Sequence, residues 1–161
     1  MGKNIVESLA AYDWAVAGCG AVPALTTPLS DYLYIIAVAN DESANNAIYV
    51  RKDSPILEAK GTNPSYPNVY GSAVTVQKAD ILYPKSTSAH YLLATWLRIL
   101  GLSEKDVKLQ EMEPTPALSA FTGGVGDAVA LWAPLTYEAE AKASSLWRIP
   151  RIAASRSLSC W

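Results

Sequence analysis

Residues 83–101 read YPKSTSAHYLLATWLRILG and join the end of an apolar strand to an amphipathic helix. A proline and the cluster Ser86-Thr87-Ser88 separate the two elements, and Gly101 stands where a helix commonly ends. The first N–H groups of a helix lack intrahelical partners, and the helix dipole places partial positive charge there. This order of residues therefore predicts a site for a small anionic or polar ligand. The alternative is that Ser86 or Ser88 only caps the helix.

The composition is that of one compact domain with a large apolar core. Of the 161 residues, 50% are hydrophobic and 17% are charged, which is below the ~25% of an average soluble domain. The net charge of -2, without a basic cluster, gives no reason to expect a nucleic-acid partner. One histidine and two distant cysteines argue against a structural zinc site, and no cofactor is predicted. Cys19, in an Ala-Gly context, is predicted to be buried.

Short apolar runs alternate with helical patterns along the chain. Strands are predicted at residues 14–18, 32–39, 47–50, 80–83, 107–110, 128–132 and 146–149, and helices at residues 5–11, 21–29, 88–100, 115–121 and 134–143. The alternation predicts an α/β fold with a mostly parallel sheet and helices on both faces. The prolines and glycines between residues 51 and 73 argue against regular structure and favour a solvated connector.

Three polar or Pro-containing segments follow predicted strand ends. They are residues 86–88, 113–115 and 132–134. In a parallel sheet, ligands bind beyond the carboxyl ends of the strands. We therefore expect the three segments to converge on one edge of the sheet and to form a ligand site there.

Four sequence pieces in the second half occur in an order and spacing typical of one family. They are the Ser-Thr-Ser before a helix, GLSEKDVKL at 101–109, ALSAFTGG at 117–124 and GDAVALWAP at 126–134. Together they resemble the second lobe of ABC-transporter substrate-binding proteins, and more narrowly the aliphatic sulfonate, taurine and nitrate branch. Upstream, DWAVAGCGAVPAL at 13–25 and IIAVANDESANNAIYVRKDSPI at 35–56 resemble the later part of the first lobe.

The resemblance implies a two-lobed receptor that closes on a small anionic solute and presents it to a membrane permease, without bond chemistry. It implies a periplasmic or extracellular lipoprotein location, although no export signal is recognised in this sequence. It maps the ligand site onto Ser86, Thr87 and Ser88, then onto Asp127 and Trp132, and from the first lobe onto Gly18, Gly20 and Asn40. For Asp127, capping of the turn after Gly126 is an equal alternative.

The sequence departs from the family pattern in its first lobe and at its end. Family members are longer, and the last residues, IPRIAASRSLSCW, carry no family pattern. We expect a first-lobe remnant with crossing strands at 1–52, a connector at 53–78, a second-lobe α/β unit at 79–149 and a non-family tail at 150–161. An incomplete first lobe exposes apolar surface, so a homodimer is predicted to cover it.

Two other functions stay open. One is an enzyme similar to the thiamine-pyrimidine synthases, which share this architecture; the scattered lysines and the isolated Cys19 argue against it. The other is a folded fragment that binds no ligand. His90 is predicted to be structural because no catalytic triad surrounds it. For the enzyme alternative, Glu111 and Glu113 are a candidate carboxylate pair for acid-base chemistry.

Overall fold

The computed structural model describes residues 5, 8–11, 15–20, 22, 34–37, 45–142 and 146–149. Within these ranges the strands are β1 (Asn46–Arg51), β2 (Asp80–Tyr83), β3 (Lys108–Glu111), β4 (Ala128–Trp132) and β5 (Leu146–Arg148). The α-helices are α1 (Ala73–Val76), α2 (Ser88–Ile99), α3 (Pro114–Thr122) and α4 (Leu135–Lys142), and short 3-10 turns span Ser8–Ala11, Pro55–Glu58 and Glu104–Asp106.

The five strands form one sheet in the order β3-β2-β4-β1-β5. β2 pairs in parallel with both β3 and β4, while β1 pairs antiparallel with β4 and with β5. Four strands therefore run in one direction and β1 alone runs against them. The predicted α/β fold with a mostly parallel sheet is confirmed, and the reversed β1 is the feature that the sequence pattern did not indicate.

One face of the sheet is covered by α2. Its apolar side chains recur every three or four residues, so that Leu93, Trp96 and Leu97 are all buried. They pack against alternate residues of the sheet, among them Ile48 and Ile81. Burial of each of these large side chains stabilises the fold by about 1.5–3 kcal/mol, which fixes the direction of α2 and hence the position of its first turn.

The opposite face is covered by α3 and α4. Leu118 and Phe121 of α3 pack against Tyr49 and Leu82, which alternate along their strands with the residues that face α2. The Tyr49 hydroxyl donates to the Thr136 main-chain oxygen at 3.2 Å, and it lies 2.9 Å from a carboxylate oxygen of Glu140. Helices on both faces, as predicted, leave the strand ends as the accessible edges of the sheet.

The segment between β1 and β2 is more ordered than the sequence predicts. Ile56, Val69 and Val76 are buried in the same core as α2, and the Trp96 ring nitrogen donates to the Tyr70 main-chain oxygen at 2.9 Å. Gly71 has φ +101°, and a Cβ there would lie 3.0 Å from side-chain atoms of Leu100 and Val76. This segment therefore joins β1 to β2 with its few apolar residues packed onto α2, while many of its polar residues are exposed.

Two strands predicted near the N-terminus are not formed where the structure describes them. Residues 15–18 and 34–37 have no strand structure, and Tyr34 and Ile36 are 91% and 77% exposed. Cys19 is exposed as well, although burial was predicted. A strand requires partners for its N–H and C=O groups, and apolar alternation alone does not supply them.

Several predictions fall outside the described residues. They concern the helix at 21–29 apart from Val22, the tail at 150–161 and Asn40. No helix among the described residues combines the length and the apolar character that crossing a bilayer requires.

Candidate functional site

The carboxyl ends of β2, β3 and β4 lie at one edge of the sheet, which we call the carboxyl edge. Tyr83 pairs with Glu111 in the β2–β3 register, and the Met112 N–H donates to the Tyr83 main-chain oxygen at 3.0 Å. β1 begins at this edge because it runs in the opposite direction, so Asn46 lies beside Trp132. The polar segments after β2, β3 and β4 therefore do converge.

Thr87 is the residue that caps α2. Its extended backbone (φ −128°, ψ 170°) places the hydroxyl to accept the His90 N–H at 3.3 Å and to donate to the Pro84 main-chain oxygen at 2.7 Å. The helix is therefore capped, but by Thr87 and not, as the alternative had it, by Ser86 or Ser88. With Thr87 as the cap, the hydroxyl groups on either side of it are released for other contacts.

Ser86 and Ser88 differ in their partners. The Ser88 hydroxyl donates to the Asn46 side-chain oxygen at 2.9 Å, which ties the start of α2 to the start of β1. Ser86 is exposed and has φ +58°, a left-handed conformation that non-glycine residues seldom adopt. Among the described residues, the Ser86 hydroxyl and the Ser88 N–H have no hydrogen-bond partner. These two groups can donate to a ligand.

His90 fixes the turn that carries these donors. Its Nδ1 accepts the Ser86 N–H at 3.2 Å, and its Nε2 lies 3.0 Å from a carboxylate oxygen of Glu104. The ring rests against Tyr83, with the ring centroids 4.8 Å apart. These contacts agree with the predicted structural role of His90.

The charged groups around the turn are mixed in sign. Lys85 lies 3.6 Å from Glu111, with both side chains more than half exposed. Burial first, and then the negative charges of Glu111 and Glu104, raise the pKa of the Tyr83 phenol, so this group is neutral. Among the described residues, no group of three His, Cys, Asp or Glu side chains could hold a metal ion. A helix start carries partial positive charge, and the Lys85 charge beside it is balanced by Glu111.

Asp127 lies at the other end of the sheet, which we call the amino edge. Its carboxylate accepts the Asp80 N–H at 2.8 Å, and its own N–H donates to the Asp80 main-chain oxygen at 2.6 Å. The five residues of β4 separate Asp127 from the carboxyl edge. At ~3.3 Å per residue this is a distance of about 17 Å. Of the two alternatives for Asp127, the structure favours the structural one, and it does not bring Asp127 to Ser86.

The remaining predicted residues divide into two groups. Trp132 ends β4 at the carboxyl edge, half-buried against the core beneath α2. Gly18 is exposed in a stretch without regular structure, where a Cβ would meet no atom within 4 Å, and Gly20 is in the same stretch. Asn40 lies outside the described residues. The roles of Gly18, Gly20 and Asn40 stay predictions.

Sequence reasoning missed Asn46 as part of this edge. The residue is polar and immediately precedes an apolar strand, which was the available signal. Its position depends on the reversed direction of β1, and a run of four apolar residues does not indicate the direction of its strand.

No family model matches the sequence. The chain is 32% identical over 141 residues to a Brachyspira hyodysenteriae protein named as an ABC transporter periplasmic binding protein, a match covering 87% of this chain and 40% of that protein. In structure it resembles the periplasmic aliphatic sulphonate binding protein SsuA of Escherichia coli, with TM-score 0.72 and 21% identity over 93% of this chain and 44% of that one. It also resembles the alkanesulfonate-binding protein SsuA of Xanthomonas axonopodis pv. citri bound to MOPS, with TM-score 0.71 and 24% identity over 93% and 47%.

These findings confirm the predicted resemblance: in sequence and in fold, most of this chain is similar to the substrate-binding proteins of ABC transporters. The similar proteins are named as binding proteins and not as enzymes, so the enzyme alternative gains no support. The chain spans less than half of the length of each of the three proteins.

Proposed function

We propose that this chain is part of the solute-binding protein of an ABC importer, and that it binds a small oxyanion at the first turn of α2. The observation that carries the proposal is a pair of donors at this turn, the Ser86 hydroxyl and the Ser88 N–H, which have no partner in the part of the chain that the structure describes. They lie at the carboxyl edge, where open α/β sheets bind their ligands. The names of the similar proteins favour a sulfonate among such anions, with nitrate as a smaller alternative.

The binding chemistry is hydrogen bonding and dipole attraction. A sulfonate oxygen accepts from the two donors, and each hydrogen bond to a charged group contributes about 1.5–3 kcal/mol. The helix N-terminus adds about 0.3–1 kcal/mol. After the cost of association, at most about 3 kcal/mol is left, so this edge alone corresponds to a Kd of about 6 mM or weaker. Tighter binding requires groups from the first lobe, for which Gly18, Gly20 and Asn40 are the proposed contributors.

Trp132 is the proposed apolar contact for the solute. It lies at the carboxyl end of β4 and is half-buried, so part of its ring surface is accessible beside Asn46. An aromatic surface next to an anion site suits the alkyl part of an organic sulfonate. The proposed partner of the loaded protein is an ABC permease. The proposed location is that of a periplasmic protein or an extracellular lipoprotein.

The test is a calorimetric titration with methanesulfonate, taurine, nitrate and bicarbonate at matched ionic strength. We expect saturable binding of at least one anion by the wild type. In the double variant, Ser86→Gly removes the free hydroxyl and relaxes the positive φ, and Ser88→Ala removes the hydroxyl that contacts Asn46. Together they should weaken binding about tenfold or more. Ser119→Ala, an exposed serine on α3, is the matched control and should bind as the wild type does. Absence of binding, or equal binding by the double variant, contradicts the proposal and favours a fragment without a ligand.

The exposed apolar residues Tyr34, Ile35 and Ile36 support a second proposal, that two copies associate through this surface. These three consecutive residues are 91%, 65% and 77% exposed, and exposed apolar residues of this kind favour association. Sedimentation velocity should find a dimer whose fraction rises with concentration and falls in the variant Ile35→Lys with Ile36→Lys. Val74→Lys, an exposed valine on α1, is the control. A monomer at every concentration contradicts this proposal without affecting the first.

A further inference from the structure

His90 joins three elements at the carboxyl edge. It belongs to the first turn of α2, its Nδ1 accepts the N–H of Ser86, and its Nε2 lies 3.0 Å from Glu104 in the 3-10 turn before β3. Its ring also contacts Tyr83 at the end of β2. The side chain is 22% exposed and that of Glu104 is 45% exposed, so protons from solvent reach both groups.

The two contacts of the ring determine its proton positions. An N–H group can donate only to a nitrogen that carries a lone pair, so Nδ1 is unprotonated when it accepts from Ser86. The proton of the neutral ring is then on Nε2, which donates it to the Glu104 carboxylate. This is one tautomer of the neutral imidazole.

Ser86 requires such a contact because its backbone is strained. Its φ of +58° costs about 1 kcal/mol for a residue with a Cβ. Thr87 restrains the residues on the helical side through Pro84 and His90, whereas the Ser86 N–H is held by Nδ1. Loss of that one hydrogen bond therefore removes the restraint on the strained residue.

We propose that His90 is a pH-dependent restraint on the Ser86 turn, which holds the turn while the ring is neutral and releases it when the ring is protonated. A second proton can only go to Nδ1, which then faces the Ser86 N–H as donor against donor. At the same time the contact between Nε2–H and Glu104 becomes an ion pair. The ring therefore keeps its contact with Glu104, and the Ser86 turn loses its contact with the ring. This proposal concerns the backbone and does not depend on whether the turn binds an anion.

Charged groups of both signs lie around His90. Glu104 is in direct contact with the ring. Glu111 acts on Tyr83, whose ring contacts His90, and is paired with Lys85 at 3.6 Å. Tyr83 is neutral, since burial raises the pKa of its phenol.

The experiment is an NMR titration of the full chain without ligand, between about pH 8 and pH 5, the range in which histidine changes its charge. The Ser86 amide resonance should move with the same midpoint as the His90 ring protons. The Ser72 amide, which donates to the Thr75 hydroxyl at 3.0 Å, is the internal control and should not follow that midpoint.

Variants separate this restraint from a general loosening of the protein. In His90→Asn the side-chain oxygen can accept from Ser86 at every pH, so the Ser86 resonance should keep its high-pH position throughout. In His90→Ala it should lie at its low-pH position throughout. A Ser86 resonance that ignores the titration of His90, or that still titrates in His90→Asn, overturns the proposal.

Discussion

The two edges of the sheet use polar residues in different ways. At the amino edge, the groups pair with one another: Asp80 and Asp127 exchange two hydrogen bonds, and Gln110 donates to the Asp80 carboxylate at 2.7 and 2.6 Å. Arg51, at the end of β1, donates to the Gly126 main-chain oxygen and lies 4.8 Å from the Phe121 ring centre. At the carboxyl edge, Ser86 and Ser88 retain donors without a partner in the described part of the chain.

This contrast separates residues that hold the fold from residues that can bind. A polar group that is already paired within the protein contributes stability and has little to offer a ligand. An unpaired donor at a helix start contributes little stability and much to anion binding. Substitutions at the amino edge should therefore change the free energy of unfolding, and substitutions at the carboxyl edge should change affinity.

Arg51 should give the largest change in stability. Its guanidinium donates to Gly126 and also reaches the main-chain oxygens of Phe121 and Val125 at 3.3 and 3.4 Å, so it holds the turn before β4. We expect Arg51→Met to lower the free energy of unfolding by about 2–3 kcal/mol in urea denaturation. Arg51→Lys keeps the charge without the planar fork and should lose about half as much. Anion affinity should not change in either variant, and a tenfold loss would contradict the separation of the two edges.

Asp127 distinguishes the structural from the ligand-binding alternative. Asp127→Ala leaves the Asp80 N–H without its acceptor and should cost about 1–2 kcal/mol in the free energy of unfolding. Asp127→Asn retains an acceptor oxygen and should cost less. If Asp127→Ala changed the free energy of anion binding by more than the free energy of unfolding, our placement of Asp127 outside the site would be wrong.

Thr87 is the residue at which both quantities should move. Thr87→Ala removes the helix cap and should lower the free energy of unfolding by about 1 kcal/mol. Because the first turn of α2 then frays, anion affinity should fall as well. Thr87→Ser restores the hydroxyl and should recover both, as chemical denaturation and calorimetry on the same samples can check. Recovery of stability without affinity would mean that the cap does not position the donors.

The contact between Ser88 and Asn46 should give the smallest effect. A double-mutant cycle with Ser88→Ala and Asn46→Ala should find a coupling free energy of about 0.5–1 kcal/mol, as expected for one half-buried hydrogen bond. A cycle between Ser88 and Asp127, at opposite edges, should be additive. Equal coupling in both cycles would show that the edges are not independent.

The sequence predicted well what depends on local pattern. The apolar spacing of α2 placed the helix at 88–100 and the structure has it at Ser88–Ile99, with Gly101 following at φ +75°. The run at 128–132 is the strand β4, as predicted. These elements follow from side-chain periodicity, which a single sequence records directly.

The sequence did not predict the features that depend on which β-strands pair. The runs at 14–18 and 32–39 read as strands, but residues 15–18 and 34–37 have none of the pairing that strands need. Asn46 was missed because the direction of β1 is set by its neighbours. Asp127 was assigned to the site by resemblance, although it precedes a strand and so belongs to the amino edge by the same rule that placed Ser86 at the other.

Among the described residues, the carboxyl edge has donors without a partner, the Ser86 hydroxyl and the Ser88 N–H, and we expect an anion to bind there and not at the amino edge. The most direct measurement is an NMR titration of the main-chain amides with methanesulfonate at constant pH and ionic strength. We predict saturable shifts of the Ser86 and Ser88 amides, with the Asp80 and Asp127 amides unchanged. Shifts confined to Asp80 and Asp127, or no saturable shift at Ser86 and Ser88, would contradict it.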